Sequence, residues 1–273
     1  MKLNHLNTLL LAALLSATVI SCKKSERAPE QNEPTVSQQV LDQIDKLGFS
    51  TENVIARDGG YLVEGDILLT DENLKASVNS PNLRIAEDEQ YRTTNLVTAL
   101  PRVITVSVSN MTTPYSQATD IAIARYNAQN LRITFQRVSS GGNIQVVGFN
   151  EGPSGGYITL GSAGFPTSSG NPYNQIKMNT NEAAYGSNPD VNYLASVLTH
   201  EMGHCIGFRH TDYMNRAYSC GGRRSNEGSA GIGAIRIPGT PSKPDAESWM
   251  LACSNGGNRL FNPNDVIALN YLY

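Results

Sequence analysis

Histidine is scarce in this chain. There are four among 273 residues, and His5 lies in an N-terminal leader, so three remain for the folded protein. Positive charge is limited as well: 21 basic residues face 24 acidic ones, the net charge is −3, and no basic stretch follows the first 35 residues. That balance gives no footprint for nucleic acid. Beyond residue 22 no apolar run approaches the roughly 20 residues a membrane-spanning helix needs. Cysteine is sparse. After Cys22 only Cys205, Cys220 and Cys253 occur, an odd number that leaves one thiol over.

The leader has its own grammar. Lys2 gives a short basic start, Leu9 to Ile20 is an apolar run, and Val19-Ile20-Ser21-Cys22 closes it. That ending resembles a bacterial lipobox, in which cleavage before the cysteine exposes it for acylation. Residues 1–21 then form a lipoprotein signal peptide and Cys22 the lipidation site. An ordinary secretory leader would make Cys22 incidental, and on either reading the protein leaves the cytoplasm. Residues 22–35, with Pro29 and Pro34 and nothing aliphatic larger than Ala28 after the cysteine, read as a tether.

The three remaining histidines fall within eleven residues, His200-Glu201-Met202-Gly203-His204-Cys205-Ile206-Gly207-Phe208-Arg209-His210. On a helix, His200 and His204 project from one face and can share a metal ion. Glu201 flanks that face, within reach of an activated water without being a ligand. Gly207 accepts a left-handed backbone, which lets the helix stop and brings His210 back as a third ligand. Three neutral imidazoles and one open position describe a catalytic Zn2+ site rather than a structural one. The bland alternative is a buried amphipathic helix that happens to carry histidines. It accounts for a bare H-E-x-x-H more readily than for three His, one Glu and one Gly at set spacings.

Apolar periodicity supplies the scaffold. Val36, Val40, Leu41, Ile44 and Leu47 predict a helix that stops at Gly48. Val54 to Arg57 and Tyr61 to Thr70 predict a β-hairpin, and the polar stretch from Ser80 to Asn95 an exposed boundary. Strands are expected at Arg102–Ser109, Leu131–Gln136, Ile144–Phe149, Tyr157–Leu160 and Ile176–Asn179, with a helix over Pro114–Ala128. The histidine helix is expected from Asn188 as N-cap and Pro189 onward to Gly207. Asn262 caps a final helix, with Phe261 stapled on Val266. Cys205 lies beside the stripe Leu194, Leu198, Met202 and Ile206 and reads as a buried thiol. Cys220 and Cys253 lie in glycine- and serine-rich loops and are paired as a possible disulfide.

The long motif, taken with Ser248-Trp249-Met250, resembles the metzincin zinc metallopeptidases, in which a turn containing Met passes beneath the metal. Met250 fits that Met-turn, and Met250 and Trp249 are equally compatible with ordinary core. Gly207-Phe208-Arg209-His210-Thr211-Asp212 is similar to the bacterial dual-action HEIGH metallopeptidases, a resemblance spanning about Pro101 to Tyr273. Tyrosine does not follow the Met-turn, which reads Met250-Leu251-Ala252-Cys253. Hence no tyrosine ligand is expected from that position, with Tyr213 or Tyr218 as substitutes.

The resemblance implies an α+β, mixed α/β architecture. A small α+β pro-region (36–97) precedes a metzincin-like catalytic domain (98–273) with a five-stranded mixed sheet, an active-site helix and a C-terminal helix. The pro-region holds no cysteine, which excludes a cysteine switch. Its Val63-Glu64-Gly65-Asp66 resembles the Phe-x-Gly-Asp segment of astacin proregions, making Asp66 a zinc-switch candidate. A solvent-facing strand bulge is the alternative. Activation would follow cleavage between Ser80 and Thr98, after Arg84 or Arg92. The expected activity is a zinc-dependent endopeptidase acting on extracytoplasmic peptides or proteins, with His200, His204 and His210 as ligands and Glu201 as general base. Such an enzyme would touch the membrane of the bacterial cell envelope, the outer membrane in particular, only through its N-terminal lipid. The rival is an envelope-anchored lipoprotein that binds peptides or glycans over a catalytically silent zinc site.

Overall fold

Period-two alternation builds the middle of the sheet. In β5 (Arg102–Ser109), β6 (Ile133–Arg137), β7 (Ile144–Phe149) and β9 (Gln175–Asn179), residues such as Ile104, Val106, Ile133, Phe135, Val146 and Ile176 are buried. The intervening Thr134, Gln136 and Gln145 are exposed. The buried side is covered by α3 (Thr113–Asn127) and α5 (Val191–Cys205), which pack on each other and join one apolar cluster with the strands. The computed structural model describes residues 36–47, 49–75, 90–154, 156–222, 234–241 and 243–273, and these belong to one compact unit. Cys22 and Arg84 lie outside the described residues.

The sheet has eight strands rather than five, in the order β1-β2-β3-β8-β9-β7-β5-β6. The extra strands come from the N-terminal segment. There β1 (Ile55–Arg57), β2 (Gly60–Val63) and β3 (Ile67–Thr70) form an antiparallel meander instead of one hairpin. The second reversal falls at Glu64 (φ 59°) and Gly65 (φ 92°), two left-handed residues inside what reads as a single apolar run. Strand β3 then joins β8 (Gly161–Ala163) in parallel through Ile67 and Ala163. The expected strand at Tyr157–Leu160 is thus displaced to Gly161–Ala163, small residues with weak strand propensity. Their place is set by tertiary contact: a Cβ on Gly161 would stand 2.9 Å from Oε1 of Glu201.

A second, smaller core packs α1 (Gln38–Lys46) on the meander, uniting Ile44, Leu47, Phe49, Val63, Ile67 and Leu69 with Phe165. Ion pairs Arg57–Glu151 and Asp58–Lys177 fasten the first turn of the meander to the loop after β7 and to β9. After β3 comes the short α2 (Asp71–Lys75). The stretch expected to be exposed is buried at its end. Gln90, Tyr91 and Thr93 are inaccessible, and β4 (Tyr91–Arg92) pairs with β10 (Ile235–Arg236). Polar composition signalled solvent, yet Gln90 Nε2 donates inside the fold to Ser248 Oγ (3.1 Å) and Asp265 Oδ1 (2.6 Å). Arg92, one of the two candidate cleavage points, lies within that paired strand.

Helix α5 starts two residues later than the proline suggested. Asp190, not Asn188, caps it, with its carboxylate accepting from the Tyr193 N–H (2.8 Å). Between β9 and α5 sits α4 (Glu182–Tyr185), and α6 (Ala217–Cys220) follows the motif. The terminal α7 (Pro263–Leu272) is capped by Asn262 in a capping box closed by Asp265. Phe261, before the cap, packs edge-on against Tyr126 and Trp249 (centroids 5.0 and 5.2 Å). Among the described residues no helix is long and apolar enough to cross a membrane.

Cys205 is fully buried and free, while Cys220 and Cys253 form a disulfide across 33 positions, tying α6 to the chain after Met250. Cross-linking a loop of that length removes conformational freedom from the unfolded chain. Replacing both residues by serine should therefore lower the unfolding free energy by about 2–4 kcal/mol. Guanidinium melts of the variant beside the oxidised parent would measure this, and coincident midpoints would show that the bridge adds no constraint.

Candidate metal centre

Helix α5 delivers His200, Glu201 and His204 into the interior, all essentially inaccessible. The two imidazoles are held by main-chain carbonyls: Nδ1 of His200 donates to Trp249 O (2.9 Å), and Nδ1 of His204 donates to Phe208 O (2.9 Å). A carbonyl can only accept, so each bond places the ring proton on Nδ1 and leaves the Nε2 lone pair facing the cluster. The helix ends at Ile206, and Gly207 (φ 107°) makes the reversal. A Cβ there would meet Leu96 at 2.8 Å and the Asn95 carbonyl at 3.1 Å. His210 returns toward the helix, and the next residue is tied down by Thr211 N–H donating to Met250 O (2.9 Å).

The turn Ser248-Trp249-Met250 lies directly against α5. A Cβ on Gly203 would stand 2.5 Å from Met250 Sδ, so the approach depends on glycine. Trp249 packs edge-on against Phe208 (4.9 Å).

Ligand atoms of His200, His204, His210 and Asp66 all lie within 4.8 Å of one another. Asp66 enters from the reversal between β2 and β3, with Oδ2 3.1 Å from His210 Nε2 and 3.5 Å from His200 Nε2. It is not a solvent-facing bulge. His200 Nε2 and His204 Nε2 are buried with no hydrogen-bond partner among the described residues, although their Nδ1 atoms are engaged. Leaving such atoms unsatisfied costs about 1–3 kcal/mol each, and a cation at the cluster satisfies both. Three imidazole nitrogens and a carboxylate oxygen are a donor set that suits zinc.

The electrostatics agree with that placement. Burial alone would raise the Asp66 pKa, but the adjacent imidazoles, His210 foremost, hold its carboxyl well below the usual range. Burial, then the neighbouring Asp66 charge, pushes Glu201 well above it, with His210 opposing. His204 is pushed well below the usual imidazole range by burial and by the adjacent histidines, so it is neutral and able to coordinate at neutral pH. Oε2 of Glu201 has no hydrogen-bond partner among the described residues, and Oε1 lies beside β8.

Several contributors left no clear mark in the sequence. The carbonyls of Trp249 and Phe208 orient ligands but belong to the backbone. Glu64 is buried two residues before Asp66, with Oε2 3.8 Å from His210 Nδ1, 4.0 Å from Arg209 and 3.9 Å from Arg216. Arg209 lies over the rings of Phe49 (4.3 Å) and Tyr213 (5.6 Å). Asp265 was readable as the third helical residue after the Asn262 cap, though its reach to the Met-turn was not. Of the tyrosines expected to substitute at the metal, Tyr213 is buried edge-on against Tyr91 (4.2 Å), and Tyr218 donates its hydroxyl to Pro244 O (3.1 Å).

Comparison with known proteins gives three findings. Curated proteins yield no match. Among solved structures, one titled "Structure of myroilysin" aligns at TM-score 0.42 and 16% identity, covering 66% of this chain and 96% of that one. Another, "Crystal structure of myroilysin", aligns at TM-score 0.38 and 15% identity, covering 63% and 83%. The family described as Dual-action HEIGH metallo-peptidase matches residues 61–273, a span that contains Asp66, the whole histidine motif and the Met-turn. The chain belongs to the dual-action HEIGH metallopeptidase family.

Proposed function

We propose that this metallopeptidase is a zinc endopeptidase of metzincin type that is kept latent by Asp66 and works outside the cytoplasm from a lipid anchor. The observation that carries the reading is the convergence of three histidines and Asp66 within 4.8 Å, beside Glu201 of the same helix. The metzincin assignment is supported by the reversal at Gly207 and by the close approach of Met250 to Gly203.

His200, His204 and His210 would hold the zinc, which supplies a Lewis acid that polarises the scissile carbonyl and acidifies the attacking water. Glu201 takes the proton from that water and returns it to the leaving amine nitrogen. Burial raises its proton affinity, which suits a group that must hold a proton between these two steps. The edge of β8 offers main-chain groups to an extended substrate. In the uncut chain that edge is taken, since the Ala163 N–H donates to Asp66 O (2.9 Å). The N-terminal meander thus covers the substrate edge while Asp66 adds an oxygen to the three imidazoles.

Glu201→Gln should retain stoichiometric zinc yet lose turnover by a factor on the order of 10²–10⁴. A peptide-library or casein assay, run with and without chelator, measures this. Parent and variant are both assayed after processing or in the Asp66→Ala background. Unchanged turnover in Glu201→Gln there would refute the general-base role, and a chain with Glu201 that stays inert there with full zinc would favour a silent binding protein. Asp66→Ala in the uncut chain should show activity without processing, while equal latency in both forms would exclude a carboxylate switch. For the anchor, Cys22→Ala should move the protein from the membrane fraction to the soluble one. Mass spectrometry of the mature N-terminus should show an acylated Cys22 in the parent, and an unmodified terminus elsewhere would remove the lipoprotein assignment.

A further inference from the structure

The Ser248–Met250 turn touches the metal cluster at three points. Trp249 O receives His200 Nδ1–H, Met250 O receives the Thr211 N–H next to His210, and Met250 Sδ rests on Gly203. One side chain from outside the motif holds this turn from behind. Asp265, fully buried at the start of α7, accepts at Oδ1 from Gln90 Nε2 (2.6 Å) and Ser248 Oγ (3.0 Å). At Oδ2 it accepts from the main-chain N–H of Trp249 (3.2 Å) and of Asn262 (2.9 Å).

Helix capping explains only the bond to Asn262. A capping carboxylate works well at an exposed helix start, and burying it costs free energy unless every lone pair is used. Here the remaining bonds reach the Met-turn directly and Gln90 beside it. Donors surround the group on both oxygens and favour its ionised form, against the burial that pushes its pKa up to about 7.

We infer that Asp265 is a positioning residue for the metal centre: by fixing the Trp249 N–H it aims the carbonyl of the same residue at His200 and so sets the direction of that ligand. The inference rests on reading the histidines as zinc ligands. Asp265 touches neither zinc nor substrate. It acts through one main-chain residue, as outer partners of metal-bound histidines do, and their loss typically weakens metal affinity about 10–100-fold.

The test measures zinc affinity by chelator competition on the full chain, with the unfolding midpoint recorded beside it. Asp265→Asn keeps the shape but turns an amide donor toward one pair of donors, and should weaken zinc binding about 10–100-fold. Its cobalt-substituted form should also show an altered d–d spectrum. Asn262→Ala is the control. It removes the other half of the capping box, whose Oδ1 accepts from the Asn264 (2.8 Å) and Asp265 (3.0 Å) N–H groups and whose Nδ2 donates to Asp245 Oδ2 (2.8 Å), none of these a group of the Ser248–Met250 turn. That variant should lower the unfolding midpoint and leave zinc affinity and the cobalt spectrum unchanged. Equal loss of zinc affinity in both variants, or wild-type affinity in Asp265→Asn, would overturn the positioning role. If Asp265→Asn does not fold, Ser248→Ala removes the hydroxyl that donates to Asp265 and accepts from the Met250 N–H (3.3 Å) and from Gln90 Nε2 (3.1 Å). It should weaken zinc in the same direction by less, and unchanged affinity would count against the role. A folded wild type that binds no zinc would instead defeat the parent reading, and this one with it.

Discussion

Several imidazoles must aim their lone pairs at one buried point, and the rest of the structure follows from that requirement. A buried histidine nitrogen without a partner is costly, and a neutral ring can present the wrong tautomer. The chain meets both demands with backbone carbonyls: Trp249 O and Phe208 O each take an Nδ1 proton, and the Nε2 atoms of His200 and His204 turn to the cluster. These carbonyls must themselves be fixed. Phe208 is fixed by the reversal at Gly207, and Trp249 by a turn pressed onto Gly203 and bound from behind by Asp265.

This arrangement explains why glycine appears where side chains would be expected to pack. Gly203 admits Met250, Gly207 admits the Asn95 carbonyl and Leu96, and Gly161 admits the carboxylate of Glu201. Each is a close approach between segments far apart in sequence. Any added Cβ would push these segments apart.

The N-terminal meander enters the same system from the opposite side. It extends the sheet past β8, closes a small core on Phe165, and sends Glu64 and Asp66 inward from one left-handed reversal. Phe165 in turn meets His204 edge-on at 5.5 Å, so the small core and the metal cluster share a wall. Two carboxylates on one turn therefore face a cluster of histidines and arginines, an electrostatic match that also holds the meander in place.

Local sequence determined much of this protein by itself. The spacing of His200, Glu201, His204, Gly207 and His210 is a property of helix pitch and of glycine's backbone freedom, so it could be read without a fold. The same holds for strands β5 and β7, whose alternation is strong over the whole element, and for α7, whose cap is a local hydrogen-bond pattern. Tertiary structure alone decided the rest. Strand β8 is made of Gly, Ser and Ala and exists because β9, β3 and Glu201 surround it. Gln90 and Thr93 look like solvent-facing residues and are buried where distant partners accept from the Gln90 amide nitrogen and the Thr93 hydroxyl. Asp265 announces itself only as a helix cap, since the three-residue step to Asn262 is local but the bonds to Trp249, Ser248 and Gln90 form only once the chain has closed. Side-chain periodicity carries information over a few turns or a strand, whereas the supports of a buried site are drawn from whatever the fold brings alongside it.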